Sequence, residues 1–573
     1  MKRRVVIVAA IMLFSIAGWT VKSTPPAAQA YGIGADPPAP QGKLAVLIVI
    51  DQLRGDYLTR FGDLFGEGGF RLFTERGAWF TNCHYENGVT KTGPGHASIA
   101  TGANPAVHGM VGNDWYERVD GKLKAALCVG DRNSKIVGLP AGVSYAGASP
   151  HRLLADTLAD RLKAASPKSR VLSCSLKDTA ANLAAGKSAD GVFWWHRGTG
   201  LFVSSEFFAK KLPGWAQSFN EQRAVDRFFG QRWIRLADPA EYDRRCRRDD
   251  YSYEWGHYYT ESNDFPHTFG KSSAQQPDTA YYRALYASPF GNEVLLDFAR
   301  RGIEAMELGR RGVTDLLLVS LSSNDLVGHA YGPLSHEVMD VTLRTDQQLA
   351  RFFKYLDERV GLDNCVIALT GDHGAGMVPE YAEEKKLGGG RLNTTMVAGA
   401  INDALVAAVG APPGGASYVA GIAMPWVYLD HGMLKNKNLS ADKLRTILKK
   451  LAKDQAGYDA FFVADDIRRD DFVTSPANKL RVRVKNCYLA GRSGDVYVHV
   501  AENWYAGGHA AGHGSAHAYN THVPLLLFGQ GIKPGKHNTL TAPTDIAPTL
   551  ARLLGIPKPT KSTGRVLHEV IAK

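Results

Sequence analysis

The sequence predicts an α/β fold: a doubly wound, mostly parallel sheet flanked by helices, elaborated by cap insertions. Three observations predict it. Continuous apolar runs recur along the chain, as strands buried on both faces require. Amphipathic helical stretches lie between them, and this alternation is the pattern of a parallel sheet covered on both sides. Carboxylates and imidazoles gather next to the runs, and such sheets bind ligands beyond the carboxyl ends of their strands.

The first run, Leu44–Ile50, ends at Asp51. Leu316–Leu321 leads to Asp325, and Val366–Leu369 leads to Asp372 and His373. Val523–Phe528 is a further strand, shortly after His513. Between the runs, the stretch from Asn292 to Leu308 places Val294, Leu295, Phe298, Ile303 and Met306 on one helical side. Ser335 caps a second helix that runs to Val360 and stops at Gly361. Two regions break the alternation. Residues 195–285 are rich in Trp, Tyr, Arg and Asp. Residues 385–505 hold Gly-rich turns and short strand-like runs such as Lys479–Val484. Both read as insertions into one catalytic domain spanning 43–573, placed to shape a substrate entrance.

Composition narrows the class. With 45% hydrophobic and 21% charged residues, the 573-residue chain can bury a large core, which excludes wholesale disorder. Sixty glycines and 27 prolines without a period exclude collagen-like and solenoid architectures. Residues 1–30 read as a signal peptide. Lys2-Arg3-Arg4 precede an apolar run from Val5 to about Ala17, and Ala28-Gln29-Ala30 forms a cleavage signature. The run is short for a span of ~20 residues. Cleavage near Ala30 leaves a Pro/Ala/Gly-rich linker (31–42) and an exported periplasmic or secreted protein with no membrane span. Without Lys2, Arg3, Arg4 and Lys22 the net charge falls from +11 to +7 (63 basic minus 56 acidic). That mild basicity attracts anions and implies no nucleic acid as a specific partner. The six cysteines show no CxxC, so thiolate zinc chemistry is not expected and disulfide pairing stays open.

The polar groups near the strands are three carboxylates and three imidazoles: Asp51, Asp325, His329, Asp372, His373 and His513. They divide naturally into two zinc sites, since imidazole nitrogen and carboxylate oxygen both suit that ion. Asp325 and His329, four apart, reach one ion from a single turn, whereas the adjacent Asp372 and His373 need a loop. His509 and His517 are also close in sequence, but Gly507, Gly508, Gly512 and Gly514 argue against a helical ligand face, so both read as loop residues. The candidate nucleophile is Thr92. Pro94 suits the first turn of a helix, which puts Thr92 at its N-terminus, where free amide N–H groups favour an anion such as phosphate. A threonine hydroxyl needs activation, which a coordinated metal supplies.

Several motifs occur in a specific order: Ile50-Asp-Gln-Leu-Arg54, Thr92-Gly-Pro-Gly-His96, Thr101-Gly102, His108-Gly109 and Gly112-Asn-Asp-Trp115. Ser175-Leu-Lys-Asp178, Asn324-Asp325, Gly328-His329, Gly371-Asp-His-Gly374, His513-Gly514, Thr521-His-Val-Pro524 and Asp545-Ile-Ala-Pro-Thr549 follow. On these residues the chain resembles the alkaline phosphatase superfamily, nearest the threonine-using, phosphate-irrepressible bacterial alkaline phosphatases, over about residues 43–567. The resemblance implies two zinc ions per chain: one on Asp325, His329 and His513, the other on Asp51, Asp372 and His373 with Thr92 bridging toward it. It also implies a phosphothreonine intermediate, with Asn113 and Lys177 binding phosphate oxygens of small phosphorylated substrates.

One departure stands out. The phosphomonoesterase relatives read Ser-x-Lys-Asp-Arg, whereas here the fifth position is Thr179. Losing an arginine fork removes a bidentate contact suited to a dianionic monoester. With Asn113 and Lys177 both present the expected activity is alkaline phosphatase, while Thr179 makes a nucleotide pyrophosphatase/phosphodiesterase the alternative, and Arg197 is the candidate replacement clamp. A sulfatase is disfavoured because Thr92 and His96 stand at the ends of the C/S-x-P-x-R motif that branch needs. A non-catalytic binding protein is disfavoured because all seven metal and nucleophile positions are intact.

Overall fold

The structure, a computed structural model, describes residues 43–256, 259–269 and 274–572. The signal peptide and linker, residues 1–42, lie outside the described residues. In chain order the strands used below are β1 (Leu44–Ile50), β2 (Ala78–His84), β3 (Ile136–Val137), β4 (Val171–Ser175), β5 (Gly191–His196), β6 (Leu201–Ser205) and β7 (Asp315–Leu321). They continue with β8 (Cys365–Gly371), β9 (Val419–Ala423), β10 (Trp426–Leu429), β11 (Tyr458–Val463), β12 (Val496–Val500), β13 (His522–Gly529) and β14 (Gly535–His537). The helices are α1 (Thr92–Thr101), α2 (Asp178–Ala185), α3 (Pro289–Ala305), α4 (Ser323–Tyr331), α5 (His336–Arg359), α6 (Thr394–Val409), α7 (Ala441–Asp454), α8 (Lys479–Asn486) and α9 (Ile546–Leu553).

Ten strands form the main sheet in the order β14-β2-β13-β8-β1-β7-β4-β5-β6-β3. Its centre, β8-β1-β7-β4-β5, is parallel, and β13 enters antiparallel to both β8 and β2. Strand β1 shows why the sheet is doubly wound. Leu44, Val46, Ile48 and Ile50 pack into one core with Val294, Phe298 and Phe352 of α3 and α5. Ala45, Leu47 and Val49 pack into a second core with Ile546 and Leu550 of α9. Successive side chains point to opposite faces, so a strand covered on both must be apolar throughout.

Helix α5 begins after Ser335, whose side chain accepts from Val338 N–H, as its sequence predicts. Helix α3 starts three residues earlier than its apolar face implies, because Pro289 occupies the first helical position. Lys479–Val484 is helix rather than strand. Its Lys-Leu-Arg-Val-Arg-Val alternation imitates a strand, yet Leu480 and Val484, four apart, both join the core that holds Phe472, and Asn478 caps the helix through Arg481 N–H.

Within residues 195–285, β6 extends the main sheet and Phe202 and Phe219 pack on Phe298. Within residues 385–505, β9-β10-β12-β11 form a separate four-stranded sheet whose core includes Val397 and Leu405 of α6 and Leu444 and Leu448 of α7. All six cysteines are unpaired.

Candidate active site

Register brings the carboxylates together. Ile50 pairs with Leu321 of β7 on one side and Gly371 of β8 on the other. Asp51 and Asp372 therefore leave neighbouring strands at one level. Beyond β7, α4 carries Asp325 in its first turn and His329 one turn later. His513 arrives on the Gly-rich loop before β13. The six residues singled out in the sequence form two triads, Asp325–His329–His513 and Asp51–Asp372–His373, with the possible ligand atoms of each within 4.8 Å of one another.

Both triads fit a cation. His329 Nδ1 donates to Ala511 O (2.8 Å) and His513 Nδ1 to Thr90 O (2.8 Å), which fixes their tautomers. Their Nε2 atoms then face each other at 3.1 Å, and lie 3.3 and 3.4 Å from Asp325 Oδ1. Two lone pairs so placed repel unless a proton or a metal lies between them. In the other triad His373 Nδ1 donates to Gly374 O (3.1 Å). Its Nε2 lies 3.4 Å from Asp51 Oδ1 and 3.5 Å from Asp372 Oδ2, and all three atoms are buried without a hydrogen-bond partner. Orphaned buried polar atoms are costly. A backbone carbonyl behind each imidazole is the support that metal-ligating histidines use.

Electrostatics point the same way. Burial raises Asp51 well above the carboxylate range, and the nearby Asp325 and Asp372 add to it. Burial also works to raise Asp325, but His329 and Lys177 outweigh it and hold that carboxyl low. Burial pushes His329 down to about 4 and His373 to about 3, so both are neutral, as ligands must be. Burial disfavours charge on Lys177, yet Asp325 and Asp51 hold its pKa well above the usual value. Lys177 Nζ donates to Asp51 Oδ2 (2.7 Å) and Asp325 Oδ2 (2.5 Å).

Thr92 is the first residue of α1 and is buried. Its hydroxyl accepts from Lys177 Nζ at 3.5 Å, its one hydrogen-bond partner among the described residues. The Thr90 hydroxyl is already engaged, donating to Ser515 O (2.8 Å) and accepting from Gly514 N–H (3.2 Å). Geometry thus separates the two threonines. A Cβ on Gly95 would stand 2.3 Å from Asp372 O, so glycine lets the start of α1 approach the second triad. Asn113 Oδ1 accepts from Gly93 N–H (2.7 Å), which leaves its NH2 group for a ligand.

Several residues at the site were not singled out by their chemistry. Gln52 holds φ at 63°, in the left-handed region, where its N–H reaches Asp372 Oδ1 (3.0 Å) and its side chain donates to Asp325 Oδ1 (2.6 Å). No sequence signal announces such a conformation. His96 donates to Thr92 O (2.9 Å) and lies 2.8 Å from Ser320 Oγ, tying α1 to β7. Lys91, Asn113, His329, His509 and His513 line a cavity of about 270 Å³ with residues of the 385–505 segment. Lys91 donates to Met424 O (2.6 Å) there, and its place beside Thr92 was the available signal. A larger cavity of about 820 Å³, lined by Tyr116, His431 and Asp495, contains neither triad. His509 and His517 occupy irregular chain as expected: the His509 ring lies 4.8 Å from that of His329, while His517 immediately precedes a short helix (Ala518–Thr521). From the 195–285 segment, Trp255 meets His509 at 5.7 Å. Arg197 is exposed and does not line the 270 Å³ cavity.

A family model described as type I phosphodiesterase / nucleotide pyrophosphatase matches residues 45–522. Alkaline phosphatase PhoV of Synechococcus elongatus is 36% identical, covering 92% of this chain and 93% of its own. A calcium-transporting ATPase of Myroides odoratus is 33% identical, covering 92% and 94%. A crystal structure of a variant of alkaline phosphatase PafA superposes with a TM-score of 0.84 at 32% identity, covering 93% of this chain and all of that one.

Proposed function

Because the chain belongs to the type I phosphodiesterase / nucleotide pyrophosphatase family, we propose that it is an exported dizinc alkaline phosphatase that uses Thr92 as a covalent nucleophile. It is a phosphoric ester hydrolase, like the alkaline phosphatases it resembles. The observation that carries the finer reading is the pair of converging triads, one of them with its three facing atoms unpartnered, beside a threonine hydroxyl that accepts only from Lys177 among the described residues. Among the described residues no helix is long and apolar enough to cross a membrane.

Asp325, His329 and His513 would hold one zinc, and Asp51, Asp372 and His373 the other. When bound, the two ions supply Lewis-acid stabilisation of the oxygens that gain charge at phosphorus. The chain's own residues do the rest. Thr92 Oγ1 attacks phosphorus as its proton passes to solvent, and the bond to the ester oxygen breaks with the leaving alkoxide or aryloxide taking a proton from water. A second water later hydrolyses the phosphothreonine to inorganic phosphate and the Thr92 hydroxyl. The N-terminus of α1 turns its positive dipole end toward the phosphoryl group. The Asn113 amide donates to one oxygen, and Lys177 Nζ, within reach of Thr92 Oγ1, compensates charge on another.

The second reading, a phosphodiesterase, rests on Thr179, which stands where the phosphomonoesterase relatives carry an arginine. Acid quenching during turnover of a labelled monoester tests the proposal. Phosphate should be recovered on the peptide containing Thr92, and chelation should abolish its formation. Label on Thr90, or full turnover after metal removal, would refute the mechanism.

A further inference from the structure

A third cluster of metal-ligating side chains lies outside the two triads. Asp459, His499 and His517 bring their possible ligand atoms within 4.8 Å of one another. Antiparallel pairing of β11 with β12 explains the first two. Tyr458 pairs with Val500 and Ala460 with His499, so Asp459 is the extra residue of a β-bulge. Bulges re-aim side chains, and this one brings Asp459 Oδ2 to 4.0 Å from His499 Nε2.

That spacing is too long for a hydrogen bond. His499 is only 6% exposed, its Nδ1 is buried without a partner, and neither ring nitrogen is hydrogen-bonded among the described residues. Burial pushes its pKa down to about 3, so the ring is neutral and keeps a lone pair. His517 stacks on it, ring centroids 4.6 Å apart, and donates from Nε2 to Val500 O at 2.9 Å. That bond leaves the Nδ1 lone pair free, with a carbonyl behind the imidazole as in supported metal ligands. Tyr519 covers the other face of His517 at 5.2 Å.

We propose that Asp459, His499 and His517 form a third divalent-metal site, suited to zinc, which ties the loop carrying His513 to the small sheet of the 385–505 segment. Two imidazoles and one carboxylate match zinc's ligand preferences, and bonds of about 2.0–2.2 Å would draw the three atoms inward. The Asp459 side chain is 48% exposed, which leaves a fourth position to water. His517 follows His513 by four residues, and Ser515 between them accepts from Thr90. An ion here would act on the structure of that loop, with no part in the chemistry.

The test is zinc content of the full chain after stripping, zinc reconstitution and dialysis, compared between wild type and Asp459→Asn. This substitution is isosteric and at a half-exposed side chain, so it preserves the fold, whereas His499→Gln alters a buried one. Wild type should hold one more zinc per chain than Asp459→Asn. The difference is independent of how many ions the catalytic triads retain, so failure of the dizinc reading leaves it legible. Zinc should also raise the melting temperature of wild type more than that of the variant. Equal zinc content in the two proteins would overturn the site.

Discussion

Thr179→Arg probes the departure from the phosphomonoesterase pattern. Thr179 lies in the first turn of α2, half-buried, with its hydroxyl 3.3 Å from Asp178 Oδ1 and 3.8 Å from Cys128 Sγ. Cys128 in turn donates its N–H to Asn113 O (2.9 Å), and its sulfur lies 3.3 Å from where a Cβ on Gly93 would stand. One thiol thus separates Thr179 from the start of α1. A guanidinium at this position would grip the second anionic oxygen of a monoester, where a diester carries its alkyl or aryl group. A hydrogen bond to a charged group is worth about 1.5–3 kcal/mol. Asp178 competes for the guanidinium: burial raises its pKa, so it would gain from an ion pair. The lower end, about 1.5 kcal/mol, is therefore expected, or roughly tenfold in the monoester-to-diester ratio of kcat/KM. Matched aryl monoester and methyl aryl diester substrates measure that ratio directly. Arginine should raise it, and Lys177→Ala should lower it. An unchanged ratio in a folded, metal-loaded Thr179→Arg variant would show that this position does not face the phosphoryl group.

Gly328 should be intolerant of a side chain, because its Cβ would fall 1.8 Å from Gln52 Oε1 and displace the residue that orients Asp325. Gly328→Ala should weaken metal binding about 10–100-fold in chelator competition, and unchanged affinity would remove Gln52 from the positioning role. His108 predicts a pH dependence. Burial pushes it down to about 3, and its neutral ring accepts from Met110 N–H (3.1 Å). Because the folded value lies below the unfolded one of about 6.5, its contribution is fully present above pH 6.5 and is lost as pH falls toward 3. Urea unfolding at pH 7 and pH 5 should show wild type losing about 2 kcal/mol more than His108→Gln, and equal losses would exclude His108 as the source.

The sequence by itself determined the strands at the centre of the sheet and the residues at their ends. Leu44–Ile50 must be buried on both faces because it offers no polar side chain to water, and Asp51 is the first residue that can end it. The same logic reached β7, β8, Asp325, Asp372 and His373, and the motifs added Thr92, Asn113 and Lys177. Tertiary structure alone decided the rest. Lys479–Val484 alternates like a strand, yet its neighbours offer a packing surface at helical spacing. Gln52 acquires its role from a left-handed backbone held by contacts some 270 and 320 residues away in sequence. Asp459, His499 and His517 share no motif and meet through a bulge and a loop. Local pattern reveals what a residue needs from its immediate neighbours, whereas a site assembled across strands exists only once register and chain path bring distant side chains within bonding distance.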